Sequence, residues 1–490
     1  AFTTKKPKKP PKTRVKWDKV DKVQYRETTA VKLQALLENI DGTPASVIAD
    51  RTNSILTECA QMSCPPPPKK PNKRKDKWCD ALKPVAKNIN QSYHSLQKVP
   101  PDRRKASPHL AKLKAAQKLL RKSQRQLAAK RRRHITEGII SDCHKKDKRD
   151  FFKNIKRQRQ GGQQPCVINF GEHTADTDAN SWARYFKKLA TPQDDPTFDP
   201  VHNRYLQINF LLQSLTSQGN TLPEVNPGDI SKYIQALKTG KAPDIFGVAA
   251  EHLKYSDPRI IEVLCHITNQ SIAAGRLPNC FKIGSVCPTR KKSKPPKTPN
   301  SYRRITITAI VGKVMELHMV KFSRPILDSL QSQLQFGFTS GCSPVYAALV
   351  LTEIIAEAKD SGEELFIALL DTSKAFDVVS HNSMLNAMHN QGILGNMWQL
   401  YSDMYQGNRS MVKWQGDVSE PFPEEQGIKQ GGNSSTDSYK AGKNNLLDRL
   451  ESHTTSMIGS LPAGAAMVAD DLSINSNNIL QLQCDINTAQ

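Results

Sequence analysis

The sequence predicts an α/β (α+β) chain with a basic, mostly helical N-terminal extension, and three observations lead there. Charge is segregated: of a formal net charge of +25 over 490 residues, residues 101–160 hold 21 Lys/Arg against 5 Asp/Glu, and residues 1–20 hold 8 against 1. The 330 residues from Gly161 onward are near neutral, as an ordinary globular region would be. After Pro200, helical patterns alternate with short apolar runs that end in carboxylates, at Glu364–Asp371 and at Gly464–Ile474. A length of 490 residues allows two to four domains, and an apolar share of 37% implies that part of the chain builds no core.

Taken in order, the Lys/Pro pattern of Ala1–Lys12 reads as disordered. Residues 18–60 contain one helix-like stretch, Tyr25–Leu37, followed by polar turns, and Cys64 with Pro65–Pro68 reads as a stiff linker. Ser107-Pro108 predicts a helix start, Ser as cap and Pro in the first turn. The segment Leu110–Ile140 then places Leu110, Leu113, Leu120 and Leu127 in a thin apolar stripe on a long cationic helix. Arg121, Lys122, Arg125, Lys130, Arg131, Arg132 and Arg133 are its candidate phosphate contacts; the plainer alternative is a solvated surface helix. Lys130–Arg133 also suits nuclear import. Gly161-Gly162 ends the basic run, and Ala179–Ala190 reads as an amphipathic helix whose aromatics belong to a core. The expected map is residues 1–100 linker and short helices, 101–160 basic helical connector, 161–220 helical connector, and 221–490 the globular region.

Several classes are excluded. No run approaches the ~20 apolar residues that span a bilayer, and no signal peptide opens the chain, which starts at Ala1 and is expected to be a fragment. The ten cysteines form no CxxC pair and no zinc-finger spacing, so reduced thiols in an intracellular protein are expected. The excess positive charge favours polyanionic partners.

The chemistry begins at Glu364–Asp371, which reads as a buried strand ending in a carboxylate, followed by a turn at Thr372–Asp377 and a helix from about His381. Alone, Asp371 reads as a capping residue. Some 100 residues later, Gly464–Ile474 reads as a small-residue strand, an Asp470-Asp471 turn and a second strand. Adjacent carboxylates at a hairpin tip repel unless a cation sits between them and a third carboxylate. Asp371, Asp470 and Asp471 together supply hard oxygen ligands suited to Mg²⁺, and a pair of such ions suits nucleotidyl transfer. Between them, Gly427–Ser435 is a glycine-rich loop leading into a helical run to Leu450.

This order of segments resembles the reverse transcriptase of non-LTR (LINE-type) retrotransposons. The resemblance is carried by Leu237–Asp244 with Gly247 and Glu251–Lys254, by Pro288–Lys292 with Asn300–Thr306, and by Gln335–Gly341. It is carried further by Leu370–His381, Gln430-Gly431 and Ala469–Asp471. Phe151–Lys156 with Trp182–Leu189 resembles the end of the family's basic connector. The resemblance implies a right-hand polymerase with fingers and a mostly antiparallel palm sheet. It implies two Mg²⁺ ions (Mn²⁺ as substitute) on Asp371, Asp470 and Asp471, with dNTPs, an RNA template and a DNA primer or target as partners. Phe376 matches the gate beneath the incoming sugar, Lys291 and Arg303 the cations that hold the triphosphate, and Gln430 and Gly431 the lining of the nascent base pair. Location in nucleus and cytoplasm follows from target-primed insertion.

Four departures stand out. Arg304 replaces the Pro of the family's Tyr-Arg-Pro-Ile, and Val468 stands where an aromatic usually precedes Ala-Asp-Asp. Ser434, Ser435 and Thr436 replace Leu-Ser-Pro, which predicts a poorly docked helix. The sequence ends at Gln490, so the thumb is expected to be missing; no endonuclease signature precedes the connector. The alternative to an RNA-directed DNA polymerase is therefore a catalytically inactive nucleic-acid-binding relic acting through its basic segment.

Overall fold

The computed structural model describes residues 15–64, 82–144, 151–152, 154–155, 168–170, 178–192, 199–219, 221–291, 294–453, 456–458 and 461–489. The expectations for Ala1–Lys12, Pro65–Pro68 and Gly161-Gly162 lie outside these residues. Two compact units emerge, one of residues 1–65 with 167–490, the other of residues 66–166.

In the smaller unit, helix α3 (Lys83–Gln97) packs on α4 (Pro108–His144). Ser107 caps α4, its hydroxyl accepting from the His109 N–H at 3.2 Å. At 37 residues and 1.5 Å per residue, α4 is about 55 Å long. Its stripe buries Leu113 and Ala116, while Arg121, Lys122, Arg125, Lys130, Arg132 and Arg133 are exposed. The side chain of Arg131 lies outside the described residues.

The larger unit begins with α1 (Lys22–Leu37), capped by Asp21, whose carboxylate accepts from the Val23 and Gln24 N–H groups. Tyr25, Thr29, Leu33 and Leu36 form its buried face at helical spacing. A second helix follows where polar turns were expected: α2 (Ala45–Met62). Its Thr and Asn residues mask the pattern, yet Thr52 is fully buried because its hydroxyl donates to the Ile48 carbonyl at 2.7 Å. Both helices enter the main core. Leu33, Leu36, Ile48 and Leu56 cluster with Ile230, Leu253, Val263, Ile267 and Val314, so residues 22–62 are core and not linker.

Among the described residues, five more helices follow before the first strand of this unit: α5 (Ala179–Ala190), α6 (Pro200–Thr216), α7 (Pro227–Ala236), α8 (Ala250–Tyr255) and α9 (Arg259–Ala274). The alternation expected after Pro200 thus starts only at β1 (Ile283–Arg290), which pairs antiparallel with β2 (Tyr302–Ile307). α10 (Ile310–Ser329) and α11 (Pro344–Ser361) lead to β3 (Phe366–Asp371). α12 (His381–Asn390) and α13 (Gly395–Tyr405) precede β4 (Arg409–Trp414), β5 (Asp417–Val418) and β6 (Phe422–Pro423). α14 (Ser435–His453) is followed by β7 (Met457–Ile458), β8 (Leu461–Pro462), β9 (Ala465–Val468), β10 (Asp471–Ser476) and α15 (Ile479–Ala489).

One sheet has the order β2-β1-β4-β5, with β6 also on β4 and a parallel β1–β4 pair. The second is antiparallel, β3-β10-β9. With 62% helix the class is mixed, and helices carry most of the scaffold. No described helix is long and apolar enough to cross a membrane. The eight described cysteines are free thiols.

Two expectations are corrected here. β3 is an edge strand: Phe366, Ala368 and Leu370 pack on the core, whereas Leu369 is 74% exposed. A continuous apolar run hid this alternation. α14 docks closely despite its polar start. The Ser434 hydroxyl and N–H both donate to Glu316 Oε1, at 2.8 and 2.9 Å, and Asn444 is bonded to Ser332 and Leu330. Tyr439 supplies the apolar anchor by stacking on Phe376.

Candidate active site

Strand register brings together carboxylates that lie 100 residues apart in sequence. Asp371, the last residue of β3, is the direct partner of Asp471, the first of β10, and such opposed residues hold their Cβ atoms about 4.5–5.5 Å apart. Asp470 occupies the β9–β10 turn, where its carbonyl accepts from the Thr372 hydroxyl at 3.4 Å. The Asp471 carboxyl is pushed up by burial first, then by the negative charges of Asp470 and Asp371. As oxygen donors only, these carboxylates match a hard divalent cation in kind. They do not form a closed ligand set: among the described residues, no group of three His, Cys, Asp or Glu side chains is close enough to hold an ion.

The Gln335–Gly341 segment builds the floor under this turn. The Phe336 N–H donates to the Met467 carbonyl and the Met467 N–H to the Leu334 carbonyl, both at 2.8 Å. Gln335 Oε1 accepts from the Ala469 N–H at 3.2 Å and from the Gly337 N–H at 2.8 Å. Ala469 sits at φ +65°, a left-handed conformation costly for a residue with a Cβ. Gly337 is required here: a Cβ on it would come within 2.0 Å of the Ala469 nitrogen.

The Leu370–His381 segment turns sharply after β3. Lys374 is left-handed at φ +56°, and Ala375–Asp377 form a short 3-10 turn. The Ser380 hydroxyl then caps α12. Phe376 is half-buried, stacked on Tyr439 at 4.6 Å between centroids and edge-on to Phe338 at 5.9 Å. α14 turns Lys443 toward the same end; burial pushes this ammonium down, while Asp470 opposes that shift.

The glycine loop lies against both the 3-10 turn and β2. The Ile428 N–H donates to the Phe376 carbonyl at 2.7 Å and the Gly427 N–H to the Val379 carbonyl at 2.8 Å. The Thr306 N–H donates to the Gln430 carbonyl at 2.9 Å. Gly431 has φ +144°, and a Cβ there would lie 2.1 Å from the Thr306 oxygen.

Beneath the loop is an ionic cluster that the sequence did not announce. Arg304 is 1% exposed and lies 3.0 Å from Asp377 and 3.1 Å from Glu424. Lys429, also buried, donates to the Lys282 carbonyl and Asn408 Oδ1, and burial pushes its ammonium down.

The fates of the basic candidates differ. Lys291 continues the β1–β2 ladder, its N–H donating to the Ser301 carbonyl at 2.8 Å. Lys374 lies over the Tyr185 ring at 5.3 Å. Burial lowers the Lys374 pKa, Asp377 opposes this, and the positive Lys291 and Lys188 add to the depression. Tyr185 donates to Asn300 Oδ1 at 2.5 Å. Lys188 and Lys374 were missed because one lies on an upstream helix and the other inside a motif recognised for its Asp and Phe. Arg303 is exposed, on the face of β2 opposite Arg304, and register pairs it with Thr289. The α4 cations belong to the other unit and are described there.

A strand-end carboxylate opposed to an Asp-Asp hairpin, with a glycine loop and an aromatic beside them, is an arrangement suited to nucleotidyl transfer. Comparison with known proteins makes this specific. Residues 290–490 match the family "Reverse transcriptase (RNA-dependent DNA polymerase)". The chain is 25% identical over 302 residues to the probable RNA-directed DNA polymerase from transposon BS of Drosophila melanogaster, covering 59% of this chain and 31% of that protein. It is 26% identical over 223 residues to the retrovirus-related Pol polyprotein from type-2 retrotransposable element R2DM of the same species, covering 45% and 21%. It is 26% identical over 248 residues to the probable RNA-directed DNA polymerase from transposon X-element, also of that species, covering 50% and 26%. The chain spans about a third or less of the length of these curated relatives. It carries a reverse transcriptase domain homologous to those of non-LTR, LINE-type retrotransposons.

Proposed function

We propose that this chain is the RNA-directed DNA polymerase part of a non-LTR retrotransposon product, extending a DNA primer on an RNA template with dNTPs. The observation that carries the proposal is the register that sets Asp371 against Asp471, with Asp470 in the adjoining turn. These three residues would hold two Mg²⁺ ions, Mn²⁺ serving as a substitute. Bound there, the ions supply Lewis-acid activation of the primer 3′-hydroxyl and neutralise the pyrophosphate leaving group.

The remaining roles belong to side chains of the chain itself. Phe376, fixed between Phe338 and Tyr439, meets the sugar of the incoming nucleotide and rejects a 2′-hydroxyl by contact. Lys291, with Lys374 and Lys188 beside it, attracts the triphosphate, and Arg303 reaches phosphate from the outer face of the β1–β2 ribbon. Gln430 and Gly431 line the nascent base pair. Residues 221–490 then correspond to fingers and palm, 161–220 to a helical connector, and 101–160 to a basic connector. In the last of these, Arg121, Lys122, Arg125, Lys130, Arg131, Arg132 and Arg133 track the nucleic-acid backbone. Target-primed insertion would take place in the nucleus, after synthesis in the cytoplasm.

Primer extension on a poly(rA)·oligo(dT) duplex with Mg²⁺ and dTTP tests the proposal. Extension by the wild type that Asp470→Asn abolishes supports it. Salt-sensitive RNA binding with no extension leaves a binding role only.

A further inference from the structure

We propose that Arg304, Asp377 and Glu424 form a positioning cluster that fixes Phe376 relative to the Gln430-Gly431 turn, and thereby sets how strictly the site separates deoxyribo- from ribonucleotides. The inference rests on the reverse transcriptase reading and adds three residues to it.

The cluster touches both walls of the site. Asp377 directly follows Phe376 on the 3-10 turn, and Arg304 Nε lies 3.0 Å from its Oδ1. Glu424 lies at the root of the glycine loop, and Arg304 Nη1 lies 3.1 Å from its Oε1. Glu424 is fixed in turn by the Ser410 hydroxyl at 2.8 Å, which ties the cluster to β4. The backbone of β2, the strand that carries Arg304, holds the far end of the loop through Thr306 and Gln430. His381 closes the frame, its Nε2 lying 2.8 Å from the Gly427 carbonyl oxygen. There is no slack: a Cβ on Gly427 would sit 2.5 Å from the Asp377 carbonyl and 3.1 Å from Arg304 Nη2.

The physical chemistry favours placement over stability as the role. A buried ion pair repays its desolvation only when its geometry is good, and an apolar replacement of equal volume often folds as well or better. What the charges give is placement: one guanidinium lies at ion-pair distance, 3.0 and 3.1 Å, from two carboxylates at once, a span that the point charge of a lysine does not reproduce. Tyr439 and Phe338 set the tilt of the Phe376 ring, whereas the cluster sets the backbone that carries it. Contact rejection of a hydroxyl changes steeply with distance, so a gate displaced by a fraction of an ångström loses selectivity before it loses binding.

The test measures equilibrium binding of dUTP and UTP, which differ only at the 2′ position, to the full chain on poly(rA)·oligo(dT) with a dideoxy-terminated primer and Mg²⁺, so that no turnover is needed. Wild type, Arg304→Lys, Arg304→Met and Glu424→Gln are compared, with thermal unfolding as a control. The expected result is a dUTP-over-UTP preference that drops about tenfold in Arg304→Met and Glu424→Gln and is partly restored in Arg304→Lys. Glu424→Gln is isosteric and keeps the Arg304–Asp377 pair, so it decides the matter should Arg304→Met fail to fold. A wild-type preference retained in both variants, or equal losses for the two nucleotides, would overturn the inference alone. A wild type that binds neither nucleotide would overturn the reverse transcriptase reading together with it.

Discussion

At the residue scale, the three carboxylates were legible because each ends or begins an apolar run, and strand register did the rest. What was not legible is the support. Nothing in Gln335–Gly341 as a string says that its backbone pairs with Met467, or that Gly337 must lack a side chain to leave room for Ala469. Gly337→Ala is therefore expected to displace the Asp470-Asp471 turn. Primer extension should drop roughly a hundredfold, as misplacement by about 1 Å does elsewhere, while the far-ultraviolet circular dichroism stays unchanged. His252 gives a second, pH-dependent prediction. It is 1% exposed, Nδ1 accepts from the Ala249 N–H, and burial pushes its pKa down to about 4. The unfolded chain takes up this proton near pH 6.5 and the folded chain only near pH 4. Stability linked to neutral His252 is thus full above pH 6.5 and falls as the pH drops toward 4, by on the order of 3 kcal/mol in total. Urea midpoints at pH 7 and pH 5 should differ more in the wild type than in His252→Gln.

At the element scale, periodic helices were the easiest to read. Ala179–Ala190 matches its expected bounds because Trp182, Phe186 and Ala190 recur at core spacing around a strong aromatic cluster. α2 escaped because Thr52 and Asn53 occupy buried positions, and the bond from the Thr52 hydroxyl to the Ile48 carbonyl that offsets its burial is not displayed by a sequence. The same reason explains α14, whose polar start predicts poor docking but whose Ser434 satisfies the buried Glu316. Ser434→Ala would leave that carboxylate short of a donor and should cost about 1–3 kcal/mol in denaturant unfolding. No measurable loss would mean that α14 is held by Tyr439 and its apolar neighbours alone.

At the scale of the whole molecule, charge segregation marks out the basic helix α4, whereas the packing of α1 and α2 into the larger unit leaves no trace in composition. Long-range packing of Leu33, Ile48 and Leu56 against Ile230, Val263 and Val314 is invisible to a composition count. Leu56→Ala should accordingly destabilise the reverse transcriptase core by about 2–5 kcal/mol, although it lies far outside residues 290–490. An unchanged unfolding midpoint would return α1 and α2 to the status of an appendage. For α4, replacing Arg121, Lys122, Arg125 and Lys130 by Gln should weaken RNA binding uniformly across sequences. It should also flatten the dependence of log K on log salt by about 0.7 per lost contact on a single strand. A slope that does not change would remove α4 from the nucleic-acid interface.

Asp371, Asp470 and Asp471, drawn from two separated segments, are proposed to make one metal site. The most direct measurement is a Mn²⁺ titration of the full chain followed by electron paramagnetic resonance, which needs no template, primer or turnover. The expected result is saturable Mn²⁺ binding, competed by Mg²⁺, that Asp371→Asn and Asp470→Asn each weaken strongly. Equal Mn²⁺ binding by the wild type and both variants would contradict it.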